Sequence, residues 1–383
     1  MRIVIIGPAY PLRGGLASYN ERLANEYIKQ GNEVIIYTFS LQYPKILFPG
    51  KTQYSTEKPP VNLDIKIKVN SINPLNWIKI GMEIKKLKPD LIITKYWIPF
   101  MAPCLGTISG IAKKNKETKV ISILDNIIPH EKRICDKQLS RYFVKNVDGF
   151  VAMSQSVLDD LQKFDSEKPR SFCPHPLFDN FGEAISKAAA KKNLKLEDNT
   201  NYLLFFGFIR DYKGLDILLE AFADEKLKKL PLKLIVSGEF YTDSKQYYEI
   251  INKNNLKDRV IMHTDFIKDS EVVNYFCAAD IVVQPYKTAT QSGVTQIGYH
   301  FNKPMIVTDV GGLSEIIPDK KVGFVVKTNP KAIADALYAF YDQDLESEFV
   351  NNVKVEKEKY SWKRMTEAVN EVFKKLKNND NKK

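Results

Sequence analysis

Residues 284–318 read QPYKTATQSGVTQIGYHFNKPMIVTDVGGLSEIIP and constrain the fold more than any other stretch. Residues 281–284 close an apolar run of strand length, and 288–292 are short and polar. Helical character follows over 293–301, a second buried strand over 305–308, and Gly311-Gly312 opens another turn. A strand-loop-helix-strand unit leaves the first N–H groups of its helix unpaired, aimed beyond a strand's carboxyl end. Open α/β sheets bind phosphorylated ligands at that point.

The rest of the chain repeats this alternation. Strand patterns fall at 2–6, 34–39, 65–69, 91–94, 120–124 and 149–153, with helical patterns at 16–28, 75–87 and 101–114. A second series has strands at 202–206, 233–236, 260–263, 281–284, 305–308 and 324–326. Its helices lie near 215–222, 247–254, 270–277, 293–301 and 330–341. The spacing predicts an α/β protein with mostly parallel sheets covered on both faces. The 383 residues exceed one ordinary core and suit two domains. We expect an N-terminal domain over 1–181, an Ala/Lys-rich linker over 182–200, a C-terminal domain over 201–360, and a helix with a frayed tail over 361–383.

Composition bounds the partners. A formal charge of +11 comes from scattered lysines. That fits a solvated surface or an anionic partner such as a nucleotide or membrane, and no nucleic-acid motif accompanies it. Cys104, Cys135, Cys173 and Cys277 stand far apart, which argues for a reducing, cytoplasmic setting and against a disulfide framework or zinc cluster. No window is apolar for long enough to span a bilayer, and the N-terminal run reads as a first strand.

Three places carry candidate chemistry. Gly14-Gly15 precedes the first helix, where glycines let a ligand approach the helix start or merely make a turn. In YLLFFGFIRDYKGLDILLEAF, Gly207 ends a strand, and Arg210 and Lys213 lie beside a helix start, an arrangement that suits a diphosphate. In ISILDNIIPHEK, Asp125, Asn126 and His130 follow a buried strand. Ser292, Gly293 and Val294 offer backbone N–H groups and a hydroxyl to phosphate, and Gln296 offers an amide to a ribose or sugar hydroxyl. Glu315 either caps its turn or reaches a donor hydroxyl. His175, His263 and His300 read as packing or surface residues. Tyr10, Leu12, Tyr43, Phe48, Trp97, Ile98, Phe100 and Met101 crowd the first-domain loops. They form either ordinary core or rim packing or an apolar face docking at a membrane, with Lys45 and Lys51 toward anionic lipid.

Taken together, Gly207, Lys213, Gly214, Asp216 and Leu219 in G-x5-KG-x-D-x-x-L spacing, the first-loop Gly14-Gly15, and TDVGGLSEII at 308–317 resemble the group 1 nucleotide-sugar glycosyltransferases. The resemblance covers essentially the whole chain. It implies the GT-B fold, two Rossmann-like domains facing across a cleft, with the C-terminal helix packing back on the N-terminal domain. It also implies a metal-independent, retaining transfer from a nucleotide-sugar donor to a glycan or lipid-linked acceptor, as in bacterial surface-polysaccharide synthesis, and no cofactor beyond the donor. By this resemblance Lys213 holds the donor diphosphate, and Gly14 and Gly15 close over the phosphate or sugar.

The chain departs from the family in three places. Phe208 stands where the family has an arginine, leaving Arg210 to substitute. Asp125 occupies the usual histidine position, with His130 five residues on. No Asp or Glu lies between Gln284 and Met305, where the family carries two glutamates; the nearest residues are Thr290, Gln291 and Gln296. A degenerate donor-binding subunit, or a sugar-nucleotide epimerase or phosphorylase on the same fold, therefore stay open as alternatives.

Overall fold

The computed structural model describes residues 1–44, 52–129, 134–289 and 292–380, to which all statements below refer. The chain divides into two compact units, Met1–Pro176 with Ser361–Lys383, and Leu177–Tyr360.

The first unit is built on strands β1 (Arg2–Ile6), β2 (Glu33–Leu41), β3 (Asp64–Asn70), β4 (Leu91–Tyr96), β5 (Lys119–Leu124), β6 (Gly149–Ala152) and β7 (Arg170–Phe172). Among the described residues they form one sheet in the order β3-β2-β1-β4-β5-β6-β7. Each neighbouring pair runs parallel. The reason is in the sequence: RIVII and LIITKY are near-continuous apolar runs, and strands covered on both faces need no polar alternation. Helices α1 (Gly15–Lys29), α2 (Pro74–Leu87), α3 (Ala102–Ala112), α4 (Asp136–Asn146) and α5 (Gln155–Gln162) supply the cover.

The second unit repeats the plan with β8 (Asn201–Phe206), β9 (Leu232–Ser237), β10 (Val260–His263), β11 (Ile281–Gln284), β12 (Met305–Thr308) and β13 (Gly323–Val326), ordered β10-β9-β8-β11-β12-β13. Its helices are α6 (Lys187–Asn193), α7 (Leu215–Phe222), α8 (Glu225–Lys228), α9 (Lys245–Lys253), α10 (Val272–Ala278), α11 (Gly293–His300), α12 (Gly312–Glu315), α13 (Pro330–Asp342) and α14 (Glu346–Glu356). The last helix, α15 (Trp362–Asp380), belongs to the first unit and packs on α1, β5, β6 and β7. Gly149 on β6 makes room for it: a Cβ there would come within 2.5 Å of Val372. In each sheet the strand order reverses beside a central strand, between β1 and β4 and between β8 and β11.

Residues 182–200 are not a bare linker. They contain α6, which packs on α10 as part of the second unit. The Ala/Lys composition conceals why: Ala190 and Lys191 are buried, and Lys187 reaches the fully buried carboxylate of Asp280. Asp280 also accepts from the Tyr202 backbone N–H (2.8 Å) and the Tyr341 hydroxyl (3.2 Å), while Lys187 touches Glu346 at 3.2 Å. Burial alone would lower the Lys187 pKa, but Asp280 and Glu346 outweigh it and hold the ammonium above the usual lysine value.

Most of the crowded first-domain loop residues are core; Tyr10 is only partly buried and lies outside that cluster. Leu12, Trp97 and Met101 are buried, and Tyr43, Ile98 and Phe100 pack against the same cluster. The Trp97 indole N–H donates to the Tyr43 hydroxyl at 2.7 Å, which turns these aromatics inward. Phe48, Lys45 and Lys51 lie outside the described residues. A set of apolar side chains that does face water lies on α2, where Leu75 (78% exposed), Ile78 and Met82 recur at helical spacing. Exposed Lys79, Lys85 and Lys86 flank that stripe.

Candidate active site

In the second unit, the carboxyl ends of β8 and β11 converge on one helix start. β8 ends at Gly207, whose φ of 99° only glycine adopts readily. A Cβ there would lie 3.2 Å from the Lys213 ammonium and 3.5 Å from Val294 in the first turn of α11. Arg210 precedes a 3₁₀ turn, Asp211–Lys213, and Gly214 (φ 68°) leads into α7. Gly214 has no room for a side chain, since a Cβ would sit 2.0 Å from the Pro285 carbonyl oxygen. The Lys287 N–H donates to the Tyr212 carbonyl at 2.7 Å. The cation-bearing loop is therefore fastened to the segment that leads into α11.

The electrostatics of this corner are one-sided. Lys213 is half-buried, and its ammonium lies 5.1 Å from the centre of the Tyr286 ring. The Arg210 guanidinium lies 5.1 Å from the centre of the Tyr241 ring, which Phe208 stacks against at 4.4 Å. Phe208, at the position where the family pattern has arginine, thus props the ring that carries Arg210. Neither cation meets a carboxylate among the described residues; Asp216, close in sequence, is held by Lys287 at 2.7 Å. Burial, with Arg210 adding to it, pushes the Lys213 pKa below the usual lysine range, while Tyr212 opposes the shift. No described side chain caps the α11 N-terminus, and the Ser292 hydroxyl is 3.2 Å from that of Tyr286. Two cations and a bare helix start favour an anion with several oxygens.

Lys213, Arg210, Gly207, Ser292, Gly293 and Val294 thus belong to this second-unit site. Thr290 and Gln291 lie outside the described residues. Gln296 is wholly enclosed, and neither its amide oxygen nor its nitrogen has a partner among the described residues. Gln284 is also buried; its oxygen accepts from Thr295, but its amide nitrogen is unpartnered. Gln296 therefore faces the interior beneath α11, with no surface to offer a sugar in this structure. Glu315 is exposed at the end of the short α12.

The first unit presents its own set at the carboxyl edge. Gly14 occupies the N-cap of α1, and Gly15 opens the helix. Asp125 follows β5, and its carboxylate lies 2.7 Å from the ammonium of Lys95, a β4 residue only 1% exposed. Lys95 was not singled out from the sequence, although a lone lysine inside LIITKY is a visible anomaly. His130 lies outside the described residues. His175 is buried edge-on to Tyr19, and burial together with Lys95 lowers its pKa to about 3, so it packs as a neutral ring. His263 pairs with the Tyr275 hydroxyl at 3.0 Å, and His300 with the Gly182 carbonyl at 2.8 Å.

Residues 186–378, more than half of the chain, match the family model of glycosyl transferases group 1. The chain belongs to the group 1 glycosyl transferases. Residues 13–171 of this glycosyltransferase match a second model, Glycosyltransferase Family 4. An uncharacterized glycosyltransferase of Methanocaldococcus jannaschii is 26% identical over 307 residues, covering 79% of this chain and 80% of that protein. The O-antigen chain mannosyltransferase C of Escherichia coli is 25% identical over 274 residues, 70% of each protein. Among solved structures, Anabaena HepE in complex with UDP matches with a TM-score of 0.74 at 14% identity, covering 98% of this chain and all of that one. At that identity the likeness speaks to the fold, which is GT-B: two parallel-sheet α/β domains.

Proposed function

We propose that this glycosyltransferase moves a sugar from a nucleotide-sugar donor to a glycan or lipid-linked acceptor with retention of configuration. Bacterial surface-polysaccharide assembly at the cytoplasmic face of a membrane is the setting we favour. The observation that carries the reading is the pair of cations, Lys213 and Arg210, which meet no acid among the described residues, in the corner where no described side chain caps α11. Relatives of the chain include an O-antigen mannosyltransferase, and one structural neighbour was solved with UDP, which supports a nucleotide-linked donor.

In this reading the glycosidic bond to the diphosphate breaks as negative charge grows on the leaving phosphate. Lys213, Arg210 and the N–H groups of Gly293 and Val294 stabilise that charge without a metal or cofactor. The acceptor hydroxyl attacks the same face of the sugar, and a donor phosphate oxygen takes its proton. Gly14 and Gly15 allow close approach to the donor, and Asp125 acts near the sugar or acceptor. His130, Thr290 and Gln291 stay candidates for contacts to the substrates, and Glu315 for a donor hydroxyl.

A panel of UDP-glucose, UDP-galactose, GDP-mannose and ADP-glucose, with the bare diphosphates, tests this by thermal shift, since a ligand of the folded form raises Tm by mass action. The best donor should then release free nucleoside diphosphate only when acceptor extract is added. Binding without turnover in any extract would favour a donor-binding subunit, the reading motivated by the missing acids between Gln284 and Met305. No thermal response to any of these ligands would remove the donor site.

Contact with an anionic bilayer is assigned in this reading to α2. Its stripe of Leu75, Ile78 and Met82 is bordered by lysines, the arrangement of a helix lying in a lipid interface. No described helix is long and apolar enough to cross a membrane. Changing Ile78 and Met82 together to serine should abolish pelleting with phosphatidylserine vesicles at low salt while leaving Tm unchanged. Equal pelleting of the variant would exclude α2 as the contact.

A further inference from the structure

Lys95 is a costly residue for its position. It lies in the middle of the first sheet on a strand whose six residues are all buried, and an aliphatic side chain there would need no compensation. Among the described residues, compensation comes from one carboxylate and one ring. The ammonium is 2.7 Å from Asp125 and 3.4 Å from the centre of the Tyr19 ring, with the Met153 sulfur at 3.7 Å. Its neighbours come from several elements: Tyr19 from α1, Asp125 after β5, Met153 after β6, with His175 near enough to feel its charge. Gly7, after β1, lies against its stem, since a Cβ there would be 3.4 Å from that of Lys95.

This cluster stands where the strand order reverses, between β1 and β4, the crevice in which open α/β sheets hold ligands. Of the ion pair, Lys95 is the enclosed member, with 2% of its side chain exposed, and Asp125 the more open one at 12%. The Asp125 backbone is fixed as well, its N–H donating to the Tyr96 carbonyl at 2.9 Å. One carboxylate oxygen is thus tied inward while the group stays at the edge of the sheet.

We infer that Lys95 is the positioning residue for Asp125, tying Oδ1 inward so that the carboxylate is aimed to accept a hydrogen bond from a sugar hydroxyl. The inference rests on the proposed transferase reading, in which Asp125 faces the sugar or the acceptor. It adds how the chain aims that carboxylate and why a lysine occupies β4.

The test uses the full chain, the panel donor with the largest thermal shift, its bare nucleoside diphosphate, and the acceptor extract that supports turnover. Asp125→Asn and Lys95→Met should each lower kcat/KM by at least about tenfold, the loss expected when a charged group's hydrogen bond to substrate goes. Both should bind the bare diphosphate as the parent does, because that ligand has no sugar. The double variant should be no worse than Asp125→Asn alone, since Lys95 acts only through Asp125. The substrate whose KM rises identifies whether the hydroxyl belongs to donor or acceptor. Should Lys95→Met fail to fold, the double variant buries no unpaired charge, and its comparison with Asp125→Asn decides alone. A double variant clearly worse than Asp125→Asn, or an unimpaired Lys95→Met, overturns the role of Lys95. An unimpaired Asp125→Asn removes Asp125 itself from the mechanism, and a parent without turnover counts against the transferase reading.

Discussion

Lys213→Ala is expected to lower kcat/KM for transfer by at least about tenfold without lowering Tm at neutral pH. A charge-assisted contact to a departing diphosphate contributes about 1.5–3 kcal/mol, and that contact strengthens as the bond breaks. Among the described residues Lys213 has no acid partner, so removing it leaves no described carboxylate unpaired. The two readouts should therefore part company: activity falls and stability does not. The pH dependence has a definite sign. Burial and Arg210 lower the Lys213 pKa, so its proton leaves at a pH below that of an ordinary lysine, about 10.4. Nucleoside diphosphate affinity should accordingly hold at low and neutral pH and weaken as pH rises into the alkaline range. Lys213→Arg should bind with little such dependence, because a guanidinium keeps its charge. Calorimetric titration across pH would show it, and turnover unchanged in Lys213→Ala would remove the residue from the chemistry.

Lys187→Met is expected to cost the second unit about 3 kcal/mol, the scale seen when one partner of a buried ion pair is removed. The lysine is only partly enclosed; the loss comes from Asp280, which has no exposure and would keep only the Tyr202 and Tyr341 donors. Because the Lys187 pKa is raised, its contribution is complete below about 10.4 and is lost as pH climbs through the higher folded value. Urea unfolding at neutral pH should separate the variant from the parent, and the gap should narrow in strong alkali. Equal midpoints at neutral pH would show that Asp280 does not depend on Lys187.

These two lysines also mark what can be read from sequence. The strands were legible because runs such as RIVII and LKLIVS are buried on both faces and need no longer-range information. The placement of Lys213 beside a helix start was legible because a cation after a strand-ending glycine is a local pattern. Lys187 was not, because its partner is 93 residues away and only folding brings them together. Helix α4 escaped for a related reason. Its sequence DKQLSRYFVKN buries only Ser140, Phe143 and Val144, too narrow a stripe to stand out. The loop aromatics fitted either packing or a membrane face by sequence, and the Trp97–Tyr43 hydrogen bond shows which way those two rings turn. Gln296 read as a ligand contact by position, yet α11 directs it inward, and a helix's rotation about its axis depends on the packing of both its faces.

The return of α15 to the first unit sets an order of events during synthesis. Everything in Leu177–Tyr360 leaves the ribosome before the helix that covers the β5, β6 and β7 end of the first sheet. The downstream domain can therefore complete its core while the upstream one still waits, with Gly149 and its neighbours bare until Val372 and Leu376 arrive. The domain translated first thus receives its last helix only after the other has been made.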